Sequence, residues 1–344
     1  MRNPFFRPES LGGGFFLTIH SNNLYIKIPL HSITMFNTIY THLQNYLEQF
    51  TKEDELLLNN HSSRFDTTNF TPLTPKNETI TFIDGGEAQI INAGSFCISI
   101  IRTAAITFEG TTKVSQKIQE FYLFTSAKTI EGKVWYTSTI FSEKTPLINI
   151  NDLHVSSHDP LLTGSAQRAP IEKMTNMARR FAELSVAASI KKGIVVLDGT
   201  KDNTYPNEEK YLQNLSDNVC ALAKTSTLFT KQGNNITMFL QEHGPQNSWI
   251  YSTPQMNFIK LHPKAKHVFR FEGKQEHATA ILPLSSDPIF LGYPYGLILA
   301  DKLARVSNNE TASLRNRLSL NKDYQELITH TNATNAHSIL DNIR

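Results

Sequence analysis

Two apolar runs of this sequence each end at an aspartate that is followed by glycine. The first ends at Asp84, in the segment TFIDGG, and the second ends at Asp198, in the segment IVVLDGT. Each pattern predicts a buried strand that stops at a carboxylate. Asp-Gly is also a common turn pair, which is the alternative for either aspartate alone. Because an unpaired buried carboxylate is costly, two of them predict a divalent-metal site built on a sheet.

The composition allows a large core and excludes several classes of protein. The chain has 344 residues, of which 40% are hydrophobic, so it can form one large domain or two ordinary ones. Its net charge of +2 does not by itself indicate a nucleic-acid partner. Cys97 and Cys220 lie far apart in apolar contexts, so we expect reduced, packed side chains and neither a disulfide framework nor a zinc site. With no long apolar run and no secretory signal, we expect a cytoplasmic protein without a membrane segment.

The order of the strand and helix patterns predicts an α/β fold. A helical pattern over about 166–192 ends at Gly193 and leads directly into the strand 194–198, which is typical of α/β proteins. A second helix is predicted over 294–306. Further strands are predicted at 79–84, 87–92, 96–108, 115–126, 133–141, 218–228, 248–252, 256–261 and 267–272.

Changes in composition divide the sequence into three predicted parts. Residues 1–75 form an N-terminal extension of unknown role, 76–310 form the main domain, and 311–344 form a polar C-terminal tail. Within the extension, strands are predicted at 15–19 and 24–28 and a helix around 33–50. The polar residues 51–78 predict a linker or long loop, and a last helix is predicted near 335–343.

Two more carboxylates are candidates for the same site. Glu183 lies on the helix predicted over about 166–192. It either pairs with Arg179 at the protein surface or is buried, because apolar residues also share its side of the helix. Asp301 lies in the helix predicted over 294–306, on an apolar face between Leu297 and Ala304. A surface pair with Arg305 is the alternative for Asp301, but the apolar face favours a buried ligand.

The four carboxylates together suit phosphodiester hydrolysis with two metal ions. Two cations would clamp the attacking and the leaving oxygens. Lys224 would neutralise charge on the scissile phosphate, although a solvated lysine is the commoner case. Tyr293 would stack on a base, although Tyr-Pro is also an ordinary turn pair. No two histidines have metal-binding spacing on one helix face, which argues against a zinc hydrolase.

Several segments resemble, in order, the motifs of the NurA nuclease domain over roughly residues 78–310. The helix beginning in GYPYGLILADKLARV, at residues 292–306, is similar to the C-terminal motif of that family. The preceding segments that resemble its other motifs are FIDGG (82–86), IRTAA (101–105), RFAE (180–183), VVLDGT (195–200) and AKTS (223–226).

The resemblance implies a ribonuclease H-like mixed sheet flanked by helices, and a Mn²⁺-dependent deoxyribonuclease that can also use Mg²⁺. It implies a 5′-to-3′ exonuclease, with single-strand endonuclease activity as a second mode, in DNA end resection and double-strand break repair. It further implies a homodimer that works with a HerA-type hexameric DNA translocase. By position, Asp84, Glu183 and Asp198 take the places of metal ligands, Arg102 and Lys224 lie near phosphates, and Tyr293 contacts DNA.

The sequence departs from the family pattern at two places, and other functions remain open. Asp301 stands where the family usually has histidine, and the first motif reads Asp84-Gly-Gly where Asp-Gly-Ser is commoner. The first alternative is a non-catalytic NurA-like protein that binds DNA or a partner. The second is an actin- or Hsp70-like nucleotide-binding protein, which ranks last because the chain has 16 glycines and no evident internal duplication.

Overall fold

The structure of this protein is a computed structural model that describes residues 7–11, 14–21, 24–50, 55–58 and 61–320. The helices are α1 (Leu30–Glu48), α2 (Pro160–Thr163), α3 (Lys173–Ser189), α4 (Glu209–Gln213), α5 (Ile236–His243), α6 (Gln275–Ile281), α7 (Tyr295–Ala304) and α8 (Asn308–Ser319). Short 3-10 turns span Thr67–Asn69, Ile150–Leu153 and Leu282–Leu284.

The strands lie in three sheets. They are β1 (Arg7–Leu11), β2 (Gly14–Ser21), β3 (Leu24–Pro29), β4 (Glu55–Leu58), β5 (His61–Arg64), β6 (Phe70–Pro72), β7 (Thr79–Asn92), β8 (Phe96–Glu109), β9 (Thr112–Ile130), β10 (Lys133–Phe141), β11 (Val155–Ser156), β12 (Ile194–Asp198), β13 (Val219–Ala223), β14 (Phe229–Thr230), β15 (Trp249–Ser252), β16 (Asn257–Lys260) and β17 (Phe269–Glu272).

The chain forms two compact units. One consists of the chain before Asp66 together with Phe229–Asn234, and the other consists of Asp66–Leu228 and the chain from Asn235 onwards. The first unit contains α1 and two small antiparallel sheets, with strand orders β1-β2-β3 and β14-β4-β5. The second unit contains an eleven-stranded sheet and the remaining helices. The division that we predict at residues 75 and 310 remains a prediction.

The large sheet has the strand order of a ribonuclease H-like fold at its centre. Its order is β11-β10-β9-β8-β7-β12-β13-β17-β16-β15-β6. The strands β7, β8 and β9 form an antiparallel meander, and β12 and β13 join it parallel to β7. The predicted fold class, an α/β ribonuclease H-like mixed sheet flanked by helices, is confirmed.

Helices cover both faces of the central strands because successive strand side chains point to opposite faces. Ile83 and Leu197 pack in one core cluster with α3, which is apolar on its inner side. Phe82 and Val196 pack in another cluster with α7. Each fully buried side chain of this size contributes about 1.5–3 kcal/mol relative to exposure. These two cores fix the positions of α3 and α7 over the strands that carry the candidate site.

Strand β7 continues through Gly85 and Gly86, where the sequence predicts a break. Both glycines remain paired with β8, and the strand runs on to Asn92. Their lack of a side chain serves the packing of helices. A Cβ at Gly85 would overlap the carboxylate of Glu183 on α3, and a Cβ at Gly86 would overlap the backbone carbonyl of Ala304 on α7. The prediction of a strand end at Asp84 is therefore wrong, because β8 pairs with the whole length of β7.

Other elements also differ from the predicted ones. Residues 51–78, predicted as a linker or long loop, contain β4, β5 and β6, and β6 adds a strand to the large sheet beside β15. Helix α3 begins at Lys173, later than predicted. Helices α2, α5, α6 and α8 were not predicted. The helix predicted near 335–343 lies outside the described residues. Among the helices of the described residues, none combines the length and apolar character that crossing a membrane requires.

Candidate active site

The two aspartates identified from the sequence come together where β12 ends beside β7. These strands are parallel, and Leu197 of β12 lies opposite Ile83 of β7, so the residue that follows in each strand is an aspartate. Neighbouring strands are about 4.8 Å apart, which places Asp84 and Asp198 side by side on one edge of the parallel region. Asp84 is buried and Asp198 is half-buried. The carboxyl ends of parallel strands are where α/β sheets place ligand sites.

Glu183 reaches the same place from α3. It is 3% exposed, which settles the alternative that the sequence left open in favour of burial. Its carboxylate lies directly over Gly85, the residue after Asp84. Glycine at this position allows α3 to bring the carboxylate close to the strand. The first Asp-Gly pair therefore contributes to the site twice: Asp84 supplies a carboxylate, and Gly85 leaves the space that the carboxylate of Glu183 occupies.

The three carboxylates act on one another electrostatically. Burial, followed by the charges of Asp198 and Glu183, raises the pKa of Asp84 to about 7. Burial also raises the pKa of Glu183, and the charge of Asp198 adds to that effect. Repulsion between the carboxylates thus adds to the cost of burying them, and Arg179 and Arg180 offset part of that cost at Glu183.

Three cationic side chains balance these carboxylates in the structure, namely Lys224, Arg179 and Arg180, whose Nη1 lies 4.0 Å from Oε2 of Glu183. Lys224 follows β13, and its Nζ lies 2.5 Å from Oδ2 of Asp198. Burial lowers the pKa of Lys224, but the hydrogen bond and charge of Asp198 outweigh it and raise the pKa overall. Arg179 forms an ion pair with Glu183, and its Nε lies 2.6 Å from Oε2 of Glu87. Arg179 thus pairs with Glu183, as in the surface alternative, but the glutamate of this pair is buried.

Tyr293 cannot stack on a base in the way that the sequence predicts, because its ring is buried. The ring packs against Phe269 and Phe290, and Nζ of Lys224 lies 5.3 Å from its centroid. Its hydroxyl is buried without a hydrogen-bond partner among the described residues. Burial, followed by the charges of Asp198 and Asp84, raises the pKa of this hydroxyl. Tyr293 therefore forms part of the wall behind the acidic cluster.

Asp301 is not the buried group that its apolar neighbours predict. Its side chain is 41% exposed, and it forms an ion pair of 2.9 Å with Arg305, one turn later in sequence. Its charge still contributes to the raised pKa of Lys224. The face of α7 that is buried carries Leu297, Ala300 and Ala304, and Asp301 lies at the border of that face. A helical pattern shows which residues share a face of the helix, but it does not determine how much of that face other parts of the protein cover.

Arg102 is tied into the structure and does not contact the acidic cluster directly. It lies on β8 opposite Gly86, and its guanidinium binds Glu120 at 2.9 Å and Glu310 of α8. It also donates to the backbone carbonyl of Arg305. Its predicted role near phosphates remains a prediction that would require these carboxylates to release it.

A buried ion pair that no sequence pattern indicated holds the loop after Asp198. Nε of Arg180 lies 2.7 Å from Oε1 of the fully buried Glu208, and Nη2 of Arg180 donates to the carbonyl of Thr200 at 2.6 Å. Glu208 also accepts hydrogen bonds from Thr204 and from the backbone of Tyr205. Glu208 lies 28 positions after Arg180 in sequence, beyond β12, so no local pattern links the two residues.

The donor set suits a divalent cation, but the side chains are not in a binding arrangement. Three carboxylates supply hard oxygen ligands of the kind that Mg²⁺ and Mn²⁺ prefer. Within residues 34–50, 55–58 and 61–320, no group of three or more histidine, cysteine, aspartate or glutamate side chains is placed to hold a metal ion. Instead, the ammonium of Lys224 pairs with a carboxylate oxygen of Asp198, and the guanidinium of Arg179 pairs with a carboxylate oxygen of Glu183.

Comparison with known proteins gives matches at the level of structure. No protein-family model matches the sequence, and no curated protein matches it. The NurA nuclease from Sulfolobus solfataricus matches with 14% identity and a TM-score of 0.48, over 86% of this chain and 96% of that chain. The chain is similar to the NurA nucleases.

Two further solved structures also match at low sequence identity. A second structure of NurA matches with 9% identity and a TM-score of 0.41, over 73% of this chain and 91% of that chain. Ciona intestinalis endonuclease V, in complex with a DNA that contains an inosine, matches with 11% identity and a TM-score of 0.33, over 70% of this chain and 87% of that chain. The family that the sequence motifs resemble is thus among the structural matches, and identities this low describe the fold alone.

Proposed function

We propose that this protein is a metal-dependent nuclease that hydrolyses phosphodiester bonds in DNA. The observation that carries the proposal is the cluster of Asp84, Glu183 and Asp198, supplied by two parallel strands and the helix packed on them. Such a cluster is costly to the fold unless a cation is bound, because buried like charges repel. Asp301 would join the set after leaving Arg305, which would give the four carboxylates that two ions require.

The residues of the site have distinct roles in this proposal. A bound pair of Mn²⁺ or Mg²⁺ ions would activate a water molecule and stabilise the leaving oxygen. Asp84, Glu183 and Asp198 would hold these ions and so determine where the positive charge lies in the site. Lys224 is held 2.5 Å from Asp198 and, once released, its ammonium is free to contact a phosphate oxygen. Tyr293 keeps that lysine at the edge of the cluster, with the ammonium above its buried ring.

The finer parts of the proposal rest on the resemblance of the motifs to NurA nucleases. We propose 5′-to-3′ exonuclease activity, with single-strand endonuclease activity as a second mode, in DNA end resection and double-strand break repair. The partners would be a HerA-type translocase and a second copy of this chain, in the cytoplasm. Mn²⁺ is the proposed metal, with Mg²⁺ as its substitute.

A second candidate is a non-catalytic NurA-like protein that binds DNA or a partner. The ion pairs Lys224–Asp198 and Arg179–Glu183 favour it, because side chains of the protein already neutralise these carboxylates. The replacement of the usual family histidine by Asp301, which is half-exposed and paired with Arg305, favours it too.

Degradation of end-labelled single- and double-stranded DNA by the full chain tests the proposal, with Mn²⁺, Mg²⁺ or EDTA. We expect metal-dependent cutting that Asp84→Asn and Asp198→Asn each reduce by about 100-fold or more, since each removes a charge at the reacting centre. Asp287→Asn is the matched control, because Asp287 only caps a surface turn and asparagine can accept the same hydrogen bond.

Calorimetric titration with Mn²⁺ separates the two candidates. Saturable binding that Asp198→Asn weakens, together with DNA cutting, supports the nuclease. A folded chain that neither binds Mn²⁺ nor cuts DNA under any metal contradicts the nuclease and supports the non-catalytic candidate.

A further inference from the structure

A second polar pocket lies on the large sheet and uses none of the residues of the candidate active site. It has a volume of about 450 Å³ and lies where the loop after β12, the start of β13 and the end of β17 meet. Its lining includes two lysines, Lys201 and Lys274, and the imidazole of His277. The only carboxylate in the lining of this pocket is Asp217, whose side chain is 95% exposed.

The imidazole of His277, which is a lining residue of this pocket, has one ring nitrogen available as a hydrogen-bond donor. The side chain is 6% exposed, and its Nδ1 accepts the backbone N–H of Lys274 at 3.3 Å. In the neutral ring the proton therefore resides on Nε2. No hydrogen-bond partner for Nε2 is present in the part of the chain that the structure describes. Burial lowers the pKa of His277, the charge of Glu276 opposes that effect, and the charges of Lys274 and Lys201 add to it. Lys201, Lys274 and His277 line the same pocket.

The two lysines keep donor capacity for a ligand. Lys201 donates from Nζ only to the carbonyl of Val219, at 3.4 Å, while its backbone N–H binds Glu272. Lys274 is 56% exposed and lies 3.2 Å from Asp217. An ion pair between groups so exposed contributes little, so an anion with two charges can replace Asp217 as the partner of Lys274.

We propose that this pocket binds a phosphate monoester, held by the ammonium groups of Lys201 and Lys274 and by Nε2–H of His277. Two ammonium groups match the charge of a monoester dianion, and lysine binds phosphate as a compact point charge. The volume exceeds that of a phosphate group alone. Leu212 and Leu215 also line the pocket and give the esterified organic group an apolar surface. The proposal does not depend on the proposed nuclease activity.

Phosphate-31 NMR and calorimetry on the full chain in EDTA test this proposal. The probes are deoxyadenosine monophosphate, unphosphorylated deoxyadenosine, and one oligothymidine with either a 5′-phosphate or a 5′-hydroxyl. We expect saturable binding of a phosphorylated probe and none of deoxyadenosine. Equal affinity for the mononucleotide and the phosphorylated strand would identify free monoesters as the ligand, and a strong preference for the strand would identify DNA ends.

Substitutions locate the binding. Lys274→Gln and Lys201→Gln each weaken it by about 10-fold, as expected for the loss of one charge-assisted hydrogen bond. Lys128→Gln on β9 is the control with the same change of charge, and it leaves binding unchanged. Lys224→Gln also leaves binding unchanged if the pocket is separate from the candidate active site. Thermal unfolding verifies that each variant folds.

Two results would overturn the proposal. One is the absence of saturable binding for every phosphorylated probe. The other is binding that Lys224→Gln abolishes and that Lys274→Gln and Lys201→Gln leave intact, which would place the ligand at the acidic cluster. A change in the imidazole carbon-13 shift of His277 on titration is an independent measure, because it reports the ring and not the net charge.

Discussion

At the scale of single residues, the candidate site is defined by an electrostatic cost. Asp84 is buried beside two other carboxylates, and its pKa is raised to about 7. A native state that holds a proton more tightly than the unfolded chain loses stability as pH rises from the unfolded pKa to the folded one. For Asp84 that range runs from about 4 to about 7. The cost is greatest above pH 7, where the folded protein must ionise this group.

The first prediction follows from that cost. In EDTA at pH 8, Asp84→Asn should raise the free energy of unfolding by about 2 kcal/mol, because it removes a desolvated charge at nearly constant shape. The gain should shrink as pH falls from 7 to 4, where the native chain carries the proton. Urea unfolding of both proteins across this range measures it. A gain that does not change with pH would contradict the assigned origin of the raised pKa.

The two glycines after Asp84 allow a second prediction, in which the effects of alanine at Gly85 and at Gly86 are compared. Gly86→Ala places a Cβ against the backbone carbonyl of Ala304, which cannot move without shifting α7, so we expect a loss of about 2 kcal/mol in stability. In Gly85→Ala, the atoms nearest the new Cβ belong to side chains, namely the carboxylate and Cγ of Glu183 and the Cγ of Arg179, so the change displaces the carboxylate and not a backbone. We therefore expect Gly85→Ala to reduce Mn²⁺ affinity more than stability. Chemical unfolding and metal titration of both variants distinguish these effects, and equal stability losses would contradict the assignment.

At the scale of elements, the site depends on how the loop after β12 is held. Asp198 is the last residue of β12, and the loop that follows it is fixed by Arg180 of α3 and by Glu208 just before α4. Both partners are buried. Removing one partner of a buried ion pair leaves an uncompensated charge, which costs more than the pair contributes.

Glu208→Gln should therefore destabilise the protein by about 3 kcal/mol. It should also speed the exchange of backbone amides at Thr204 and Tyr205, whose N–H groups the carboxylate accepts. Hydrogen exchange measured by mass spectrometry tests the local effect. Glu209→Gln is the matched control, because Glu209 is an exposed residue of the same region. Similar exchange in both variants would show that Glu208 does not hold the loop.

At the scale of the whole molecule, the first unit presents an apolar helix face that bears on the proposed dimer. Helix α1 exposes seven large hydrophobic side chains at about half of their area or more: Met35, Phe36, Ile39, Tyr40, Leu43, Tyr46 and Leu47. The helix carries no lysine or arginine and a single acidic residue, Glu48, so little charge opposes the approach of an identical helix. Exposed apolar patches of this extent mark interaction surfaces.

We predict that the chain forms dimers through this face of α1. The double variant Phe36→Ser, Leu43→Ser should raise the dissociation constant by about 100-fold or more, because two large side chains per subunit lose their burial. Sedimentation velocity over a range of concentrations measures it. Asn45→Ser on the same helix is the control. A wild-type chain that stays monomeric at every concentration, or a dimer that the double variant leaves intact, would contradict the prediction.

The sequence alone determined the local pattern of the central fold and the composition of the site. The apolar runs that end in Asp84 and Asp198, the helix predicted over about 166–192 and the helix predicted over 294–306 are local signals, and local periodicity records which residues face a core. Motif order added the ribonuclease H-like sheet. The strand positions of Asp84 and Asp198 and the charge of Lys224 beside them could be anticipated, since parallel strands bring their ends together.

The tertiary structure decided what local patterns cannot encode, namely depth of burial and pairing over long sequence distances. It buried Glu183 by packing α3 on Gly85, left Asp301 at the border of α7, and enclosed the ring of Tyr293. It also paired Arg180 with Glu208, which lies 28 positions later in sequence. Burial and ion pairing depend on neighbours from other elements, so they arise only when the elements pack, whereas strand and helix periodicity is set by each segment itself.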